Sequence, residues 1–273
     1  MWSSFQRQPG GRPLVYAHRG ARLEAPENSL CAFRLAVAQG ADGIELDVRM
    51  TSDGALIVSH DDEIVVAERS QPLRLSRLSE AQVRRLRTTG GEPIASLKEV
   101  LQFAKVARTR LNIELKSDVP APYWMARAAA RLVEQSGLLV LFSSFHPGQI
   151  AELRRQLPRM PVALLTQQSR PKVSLLLGTR ALGQIARHPN EGEASAGFIR
   201  KMKRTCPVIN VWTVNDRARA LALEQTAIDG VITDDPQTIV RLFQGASGVP
   251  PLTPASYGAV QSTGTRRTPG VGV

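Results

Sequence analysis

Residues 14–60 read LVYAHRGARLEAPENSLCAFRLAVAQGADGIELDVRMTSDGALIVSH, and this stretch decides the fold. A short apolar run, Leu14 to His18, precedes an amphipathic run of helical length, Ser29 to Gln39, with Asn28 read as its cap. A second short run, Gly43 to Val48, follows. Strand, helix and strand in that order form the repeating unit of a parallel sheet with crossover helices.

Working outward, the same alternation continues. Strand candidates are Ala55 to His60, Leu111 to Leu115, Leu139 to Phe145, Val162 to Leu165, Leu182 to Arg187, Val208 to Val214 and Gly230 to Thr233. Helix candidates are Leu97 to Ala107 after the capping-type Ser96, Pro122 to Ser136, Gly148 to Gln156, and Pro236 to Phe243 after Asp235. Nine strand candidates therefore compete for eight places, and the expected fold is a somewhat irregular α/β barrel of the TIM type, (β/α)8. Leu182 to Arg187 is the weakest, being mixed in polarity and poor in β-branched residues. Only Arg49 to Gly54 separates the second and third candidates, with Ser52, Asp53 and Gly54 reading as a turn, so the chain returns there in extended form.

At 273 residues one large domain is expected, over 13–244, behind an N-terminal extension of residues 1–12. From Gly245 to Val273 the chain turns to Gly, Pro, Ser and Thr with no acidic residue, and a disordered tail is expected there. Two cysteines, Cys31 and Cys206, build neither a disulfide framework nor a cysteine metal site. No signal-like apolar run opens the chain and no stretch is long enough to span a bilayer, so a soluble, cytoplasmic protein is expected. The formal charge of +11 attracts anions in general, including anionic membrane surfaces. Nucleic acid is not the expected partner, because few aromatic residues lie among the basic ones to stack on bases. Nothing in these residues sets an oligomeric state.

His18 and His60 each close an apolar run and are followed by polar residues, Arg19 and Asp61. In an α/β barrel that position is the carboxyl-end face, where side chains converge on substrate. One such histidine is more often structural; two in matching positions point to proton transfer. Glu45 and Asp47 alternate with Ile44, Leu46 and Val48, which puts both carboxylates on one strand face, and Glu114 sits between Ile113 and Leu115. An edge strand, or pairing of Glu114 with Lys116, explains any one of them. Three ionised carboxylates brought inward cost several kcal/mol each unless a cation or basic side chains offset them. An all-oxygen set favours Mg²⁺ or Ca²⁺ over zinc. Arg19 and Lys116 add fixed positive charge suited to phosphate oxygens, or serve as surface counter-charges. Together these groups equip a site for displacement at phosphorus.

Residues 17–61, from AHRG through SHD, resemble the amino-terminal signature of the glycerophosphodiester phosphodiesterase family. Further matches follow in family order at IASLKEVL (94–101), LNIELK (111–116), SSF (143–145), VWTVN (211–215) and GVITDDP (230–236), so the likeness spans about Leu14 to Phe243. The resemblance implies a TIM-type barrel that hydrolyses small glycerophosphodiesters to an alcohol and sn-glycerol 3-phosphate with a bound Mg²⁺ or Ca²⁺. It implies His18 and His60 as the acid/base pair and Glu45, Asp47 and Glu114 as metal ligands. It further implies Arg19 and Lys116 on the phosphate, Trp212 as an apolar wall for the glycerol or alcohol portion, and Glu27 and Asn28 as residues ordering the loop after His18. Two departures stand out: Ala95 replaces a frequent proline, and the segment after His60 is short, about Glu63 to Gly91. The shortening implies a more open pocket that admits bulkier, lysophospholipid-like substrates. Residues 167–193 match poorly and offer no site residue.

Overall fold

The computed structural model describes residues 1–69, 71–116, 118, 121–167 and 184–246. After a 3-10 turn, Trp2–Phe5, the elements are β1 (Leu14–His18), α1 (Leu30–Ala38), β2 (Gly43–Met50), β3 (Leu56–Val58), β4 (Glu63–Ile64), β5 (Leu73–Arg74), α2 (Glu80–Val83), α3 (Leu97–Ala107) and β6 (Arg110–Leu115). They continue with α4 (Pro122–Ser136), β7 (Leu141–Ser144), α5 (Pro147–Gln156), β8 (Val162–Thr166), β9 (Ala186–Pro189), α6 (Ala196–Lys203), β10 (Asn210–Val211), α7 (Arg217–Glu224), β11 (Gly230–Thr233) and α8 (Pro236–Ala246).

Eight parallel strands, in the order β10, β11, β1, β2, β6, β7, β8, β9, form the barrel. Parallel bridges Arg187 to Ile209 and Asn190 to Trp212 close the seam. The surplus strand candidate is not the one expected. Ala186–Pro189 is a barrel strand, whereas the run ending at His60 gives β3, which pairs antiparallel with β2 outside the barrel path. Its turn is too tight for a crossover helix, so the extended return expected from Arg49 to Gly54 forms, and His60 does not end a barrel strand. Leu182 of the weak candidate lies outside the described residues.

Local chemistry accounts for the helix boundaries. Ser96 and Glu99 make a reciprocal capping box on α3. Ser29, rather than Asn28, caps α1 by accepting from the Ala32 N–H. The helix α8 runs through Ala246, past the expected start of the tail at Gly245, and the remainder of that tail lies outside the described residues.

Outward residues Ile44, Leu46, Val48, Leu111 and Ile113 pack against α1, α3 and α4 in the main core. The lumen holds a second apolar layer, with Leu14, Tyr16, Leu141, Ala163, Ala186 and Ile232 buried together with Phe5. Two glycines make room for the Tyr16 ring: a Cβ on Gly43 would stand 2.6 Å from Tyr16 Cε1, and one on Gly230 would stand 3.3 Å from Cε2. Residues 1–12 are packed under the barrel rather than apart from it. Phe5 is fully buried, Gln6 donates to the Pro207 carbonyl at 3.0 Å, and Arg7 donates to the Glu224 carbonyl at 2.8 Å. No helix of the described residues is long and apolar enough to cross a membrane.

Candidate active site

The register places the site. His18 pairs with Glu45 across β1 and β2, and Asp47 pairs with Glu114 across β2 and β6, so consecutive strands deliver these side chains to one mouth. Period-two geometry sends Glu45 and Asp47 into the lumen while their neighbours face the helices. The three carboxylates each offer an oxygen within 4.8 Å of the others. His18 Nε2 stands 4.0 Å from Glu45 Oε2. His60 reaches the same mouth from the other direction, because Ser59 N–H bonds to the Asp47 carbonyl at 3.0 Å.

Arg19 directly follows His18 in left-handed backbone, φ 58°, a sparse region for a side-chain-bearing residue. That conformation points its N–H at the Glu45 carbonyl, 2.9 Å away, and its Nε at Asp47 Oδ2, 3.2 Å away. Lys116 Nζ lies 3.1 Å from Glu114 and 3.2 Å from Asp47, so the pairing of Glu114 with Lys116 coexists with the acidic cluster. A cavity of about 280 Å³ joins this charged half to a mainly neutral one formed by Asn112, Phe145, Leu165, Gln167 and Trp212. Trp212 is held there by its indole N–H on the His188 carbonyl at 2.8 Å and by an edge-to-face contact with Phe145 at 5.6 Å. All eight side chains given catalytic, metal-binding or substrate-binding roles from the sequence therefore meet at the barrel mouth: seven bound the cavity, and Asp47 backs it.

The electrostatics divide the acids. Burial, reinforced by Asp47 and Glu114, pushes the Glu45 carboxyl well above the usual range. Burial and then Asp47 push Glu114 up to about 7, against the pull of Lys116. Burial also acts on Asp47, yet Lys116, Arg19 and the Asn28 amide outweigh it and hold the carboxyl low. Burial, with Lys116 and Arg19 nearby, keeps His60 below the ordinary imidazole value despite Asp47.

Four further residues complete the site. Asp234 accepts from His18 Nδ1 at 2.6 Å, and Asn215 donates to Asp234 at 2.7 Å. Burial would raise the Asp234 carboxyl, but those hydrogen bonds hold it at about 2. Glu27 pairs with Arg19 at 2.9 Å and Asn28 donates to Asp47 at 3.0 Å, an ordering role for the loop after His18. The matches VWTVN and GVITDDP contain Asn215 and Asp234, but neither stretch says which polar residue turns inward.

The model of the glycerophosphoryl diester phosphodiesterase family matches residues 18–238, most of the chain and all of this site. The chain belongs to that family. It is accordingly a phosphoric diester hydrolase, of glycerophosphodiester phosphodiesterase type. A glycerophosphodiester phosphodiesterase of Bacillus altitudinis is 30% identical over 84% of this chain and 97% of its own length. One from Caldanaerobacter subterraneus subsp. tengcongensis is 27% identical over 85% of this chain and 98% of its own. Among solved structures, a family barrel from Silicibacter pomeroyi superposes with a TM-score of 0.79 at 22% identity, over 90% of this chain and 97% of that one. An Oleispira antarctica phosphodiesterase, solved with sn-glycerol 3-phosphate, gives 0.75 at 23% identity, over 85% and 97%.

The crowded acids predict a pH-dependent stability. Glu45 and Glu114 have folded-state pKa values above their unfolded ones, so the folded state binds more protons. Stability contributed by the neutral carboxyls is present at acid pH and is lost as pH rises toward 7, by ~3 kcal/mol for Glu114 alone. In chelator, the thermal midpoint of Glu114→Gln relative to wild type is expected to rise between pH 5 and pH 7.5; the comparison cancels the opposite contributions of His60 and His188, both held below the ordinary imidazole value. A relative midpoint that falls over this range would remove the basis for a crowded acidic cluster.

Proposed function

We propose that this site hydrolyses glycerophosphodiesters to an alcohol and sn-glycerol 3-phosphate, with Glu45, Asp47 and Glu114 holding a divalent cation and His18 and His60 moving the protons. The carrying observation is the set of three carboxylates within 4.8 Å, beside two imidazoles and two fixed cations. The donor set fits a hard ion: all oxygen, largely buried, and with two of its carboxyls made costly to ionise by their neighbours. Mg²⁺ and Ca²⁺ both suit such a set. When bound, the ion supplies positive charge for the phosphoryl oxygens and lets all three carboxylates stay ionised.

The chain's own residues do the rest. Arg19 and Lys116 flank the phosphate position, where a guanidinium matches two oxygens at once. Asp234, ionised at neutral pH, fixes the proton of His18 on Nδ1 and leaves Nε2 as the basic nitrogen facing the cavity. The carboxylate also steadies the imidazolium that forms when His18 takes the proton of the attacking oxygen. His60, entering the step as imidazolium, donates that proton to the departing alkoxide; its lowered pKa makes this form a stronger acid and a smaller share of the enzyme at neutral pH. Trp212 and Phe145 give the alcohol or glycerol portion an apolar wall. The Oleispira protein's bound sn-glycerol 3-phosphate supports the same product here.

The test is release of sn-glycerol 3-phosphate from glycerophosphocholine, glycerophosphoethanolamine and lysophosphatidylcholine, with chelator and with Mg²⁺ or Ca²⁺ restored. Turnover is expected to vanish in chelator and to return with one of the two ions. Undiminished turnover in chelator sinks the metal assignment; no release from any diester sinks the reaction. Asp234→Asn is expected to lower kcat by roughly 10²- to 10⁴-fold with KM little changed, because the amide stabilises the wrong tautomer. A KM effect alone would make Asp234 a substrate contact instead.

A further inference from the structure

We propose that the N-terminal end of the barrel, opposite the catalytic mouth, docks on anionic lipid bilayers and leaves the mouth facing water. The net charge is +11. Where helices finish and strands begin, the exposed side chains include Lys105 and Arg108 at the end of α3, Arg159 before β8, and Arg200, Lys201 and Arg204 at the end of α6. None of these six is ion-paired among the described residues. Of the acids at that end, Asp42 pairs with Arg12 and Asp229 with Lys203, and Glu134 at the end of α4 stands exposed against the six cations. The mouth is mixed: exposed Glu24, Asp61, Asp118 and Asp216 stand with exposed Arg85, Arg87 and Arg217, and Asp118 is paired with Arg49. An anionic surface is therefore drawn to the basic end more strongly than to the mouth.

Apolar groups sit among these cations. Val106 is 80% exposed between Lys105 and Arg108. Arg110, two residues further on, donates to the Ser4 carbonyl at 2.6 Å and so ties the turn carrying half-buried Trp2 to the same edge. Indole and aliphatic groups beside arginines are the composition that settles at a lipid headgroup layer. At the mouth, exposed Leu23 adjoins Glu24, Tyr123 packs on His146, and Trp124, 63% exposed, stacks with Arg127 at 5.0 Å; that aromatic pair is the rival surface, which the Trp124→Ser variant tests. Nucleic acid is the weaker occupant, because among the described residues no row of exposed aromatics accompanies these basic residues to stack on bases.

The experiment is co-sedimentation of the full chain with phosphatidylcholine vesicles containing about 30% phosphatidylserine, against pure phosphatidylcholine, from about 50 mM to about 500 mM NaCl. Binding is expected only to the anionic vesicles, fading with salt. Each basic residue at the surface contributes about 5-fold, so Arg108→Gln/Arg159→Gln/Arg204→Gln should weaken binding about 100-fold with an unchanged thermal midpoint. If that variant misfolds, Lys201→Gln/Arg204→Gln should still weaken binding about 25-fold. Trp124→Ser, at the mouth, should bind as the wild type does. The bound fraction should hydrolyse glycerophosphocholine at the free rate. Indifference to phosphatidylserine, wild-type binding by the basic-end variants, or loss of binding in Trp124→Ser each overturns the proposal. Retention by duplex DNA without vesicle binding assigns the basic end to nucleic acid and also overturns it. Docking does not depend on the reaction proposed above: vesicle binding by a chain that hydrolyses no diester sinks the reaction alone.

Discussion

His18→Ala is expected to lower kcat by roughly 10²- to 10⁴-fold on glycerophosphocholine and on a p-nitrophenyl phosphodiester alike. His60→Ala is expected to lose as much on the first substrate and little on the second. The asymmetry follows from the different partners of the two imidazoles. Asp234 at 2.6 Å fixes one tautomer of His18 and stabilises its cation, the arrangement of a base that acts on the attacking oxygen whatever is leaving. Burial makes the His60 imidazolium a stronger acid, so in its protonated form it gives that proton up readily to an alkoxide. Nitrophenolate is stable enough to depart without that proton, which is why it bypasses His60. The reverse pattern exchanges the two roles; equal losses on both substrates for both variants would disconnect the histidines from separate proton transfers.

Asp47→Ala is expected to abolish turnover and to destabilise the fold by about 3–5 kcal/mol. This carboxylate is 1% exposed and receives Lys116, Arg19 and the Asn28 amide, and all three would lose their common acceptor. Two largely buried cations would then face each other without it. Glu114→Gln should act in the opposite sense, raising the thermal midpoint in chelator at pH 7.5 while weakening metal binding. Two acids paired across adjacent strands thus differ in the sign of their effect on stability, because one is held ionised and the other is held toward neutrality. Thermal melts of both variants in chelator check this directly. A destabilised Glu114→Gln would mean that its contact with Lys116 outweighs the repulsion from its neighbours.

The parallel strands with inward acids were legible in the sequence because period-two alternation marks both the strand and its face; Gly43 to Val48 carries Glu45 and Asp47 in this way. The misreading at β3 has a physical cause. A run of Leu, Ile and Val signals a buried strand but does not encode the direction of its partner, and only the shortness of Arg49 to Gly54 hinted at an antiparallel return. β9 was hard to see because Ala186, Arg187, His188 and Pro189 place polar residues inside the protein, where His188 shares a hydrogen-bonding contact with Asn210 at 3.2 Å. Helices α6 and α7, capped by Ser195 and Asp216, are only eight residues each, about two turns, too short for a pattern to declare itself in sequence. Asp234 and Asp235 illustrate the limit for the site. They are chemically identical neighbours, yet Asp235 caps α8 by accepting from Thr238 at 3.0 Å while Asp234 turns to His18. Only the backbone path after β11 separates those roles.

Pairing of Leu14 with Gly230 makes the earliest strand the neighbour of the latest. During synthesis, β1 leaves the ribosome some two hundred residues before the partner that covers its free edge. Until then its N–H and C=O groups are a template for any other extended chain. Nascent chains stalled before Gly230 should consequently recruit holdase chaperones, and release of those chaperones should coincide with emergence of the last helix rather than with any earlier repeat.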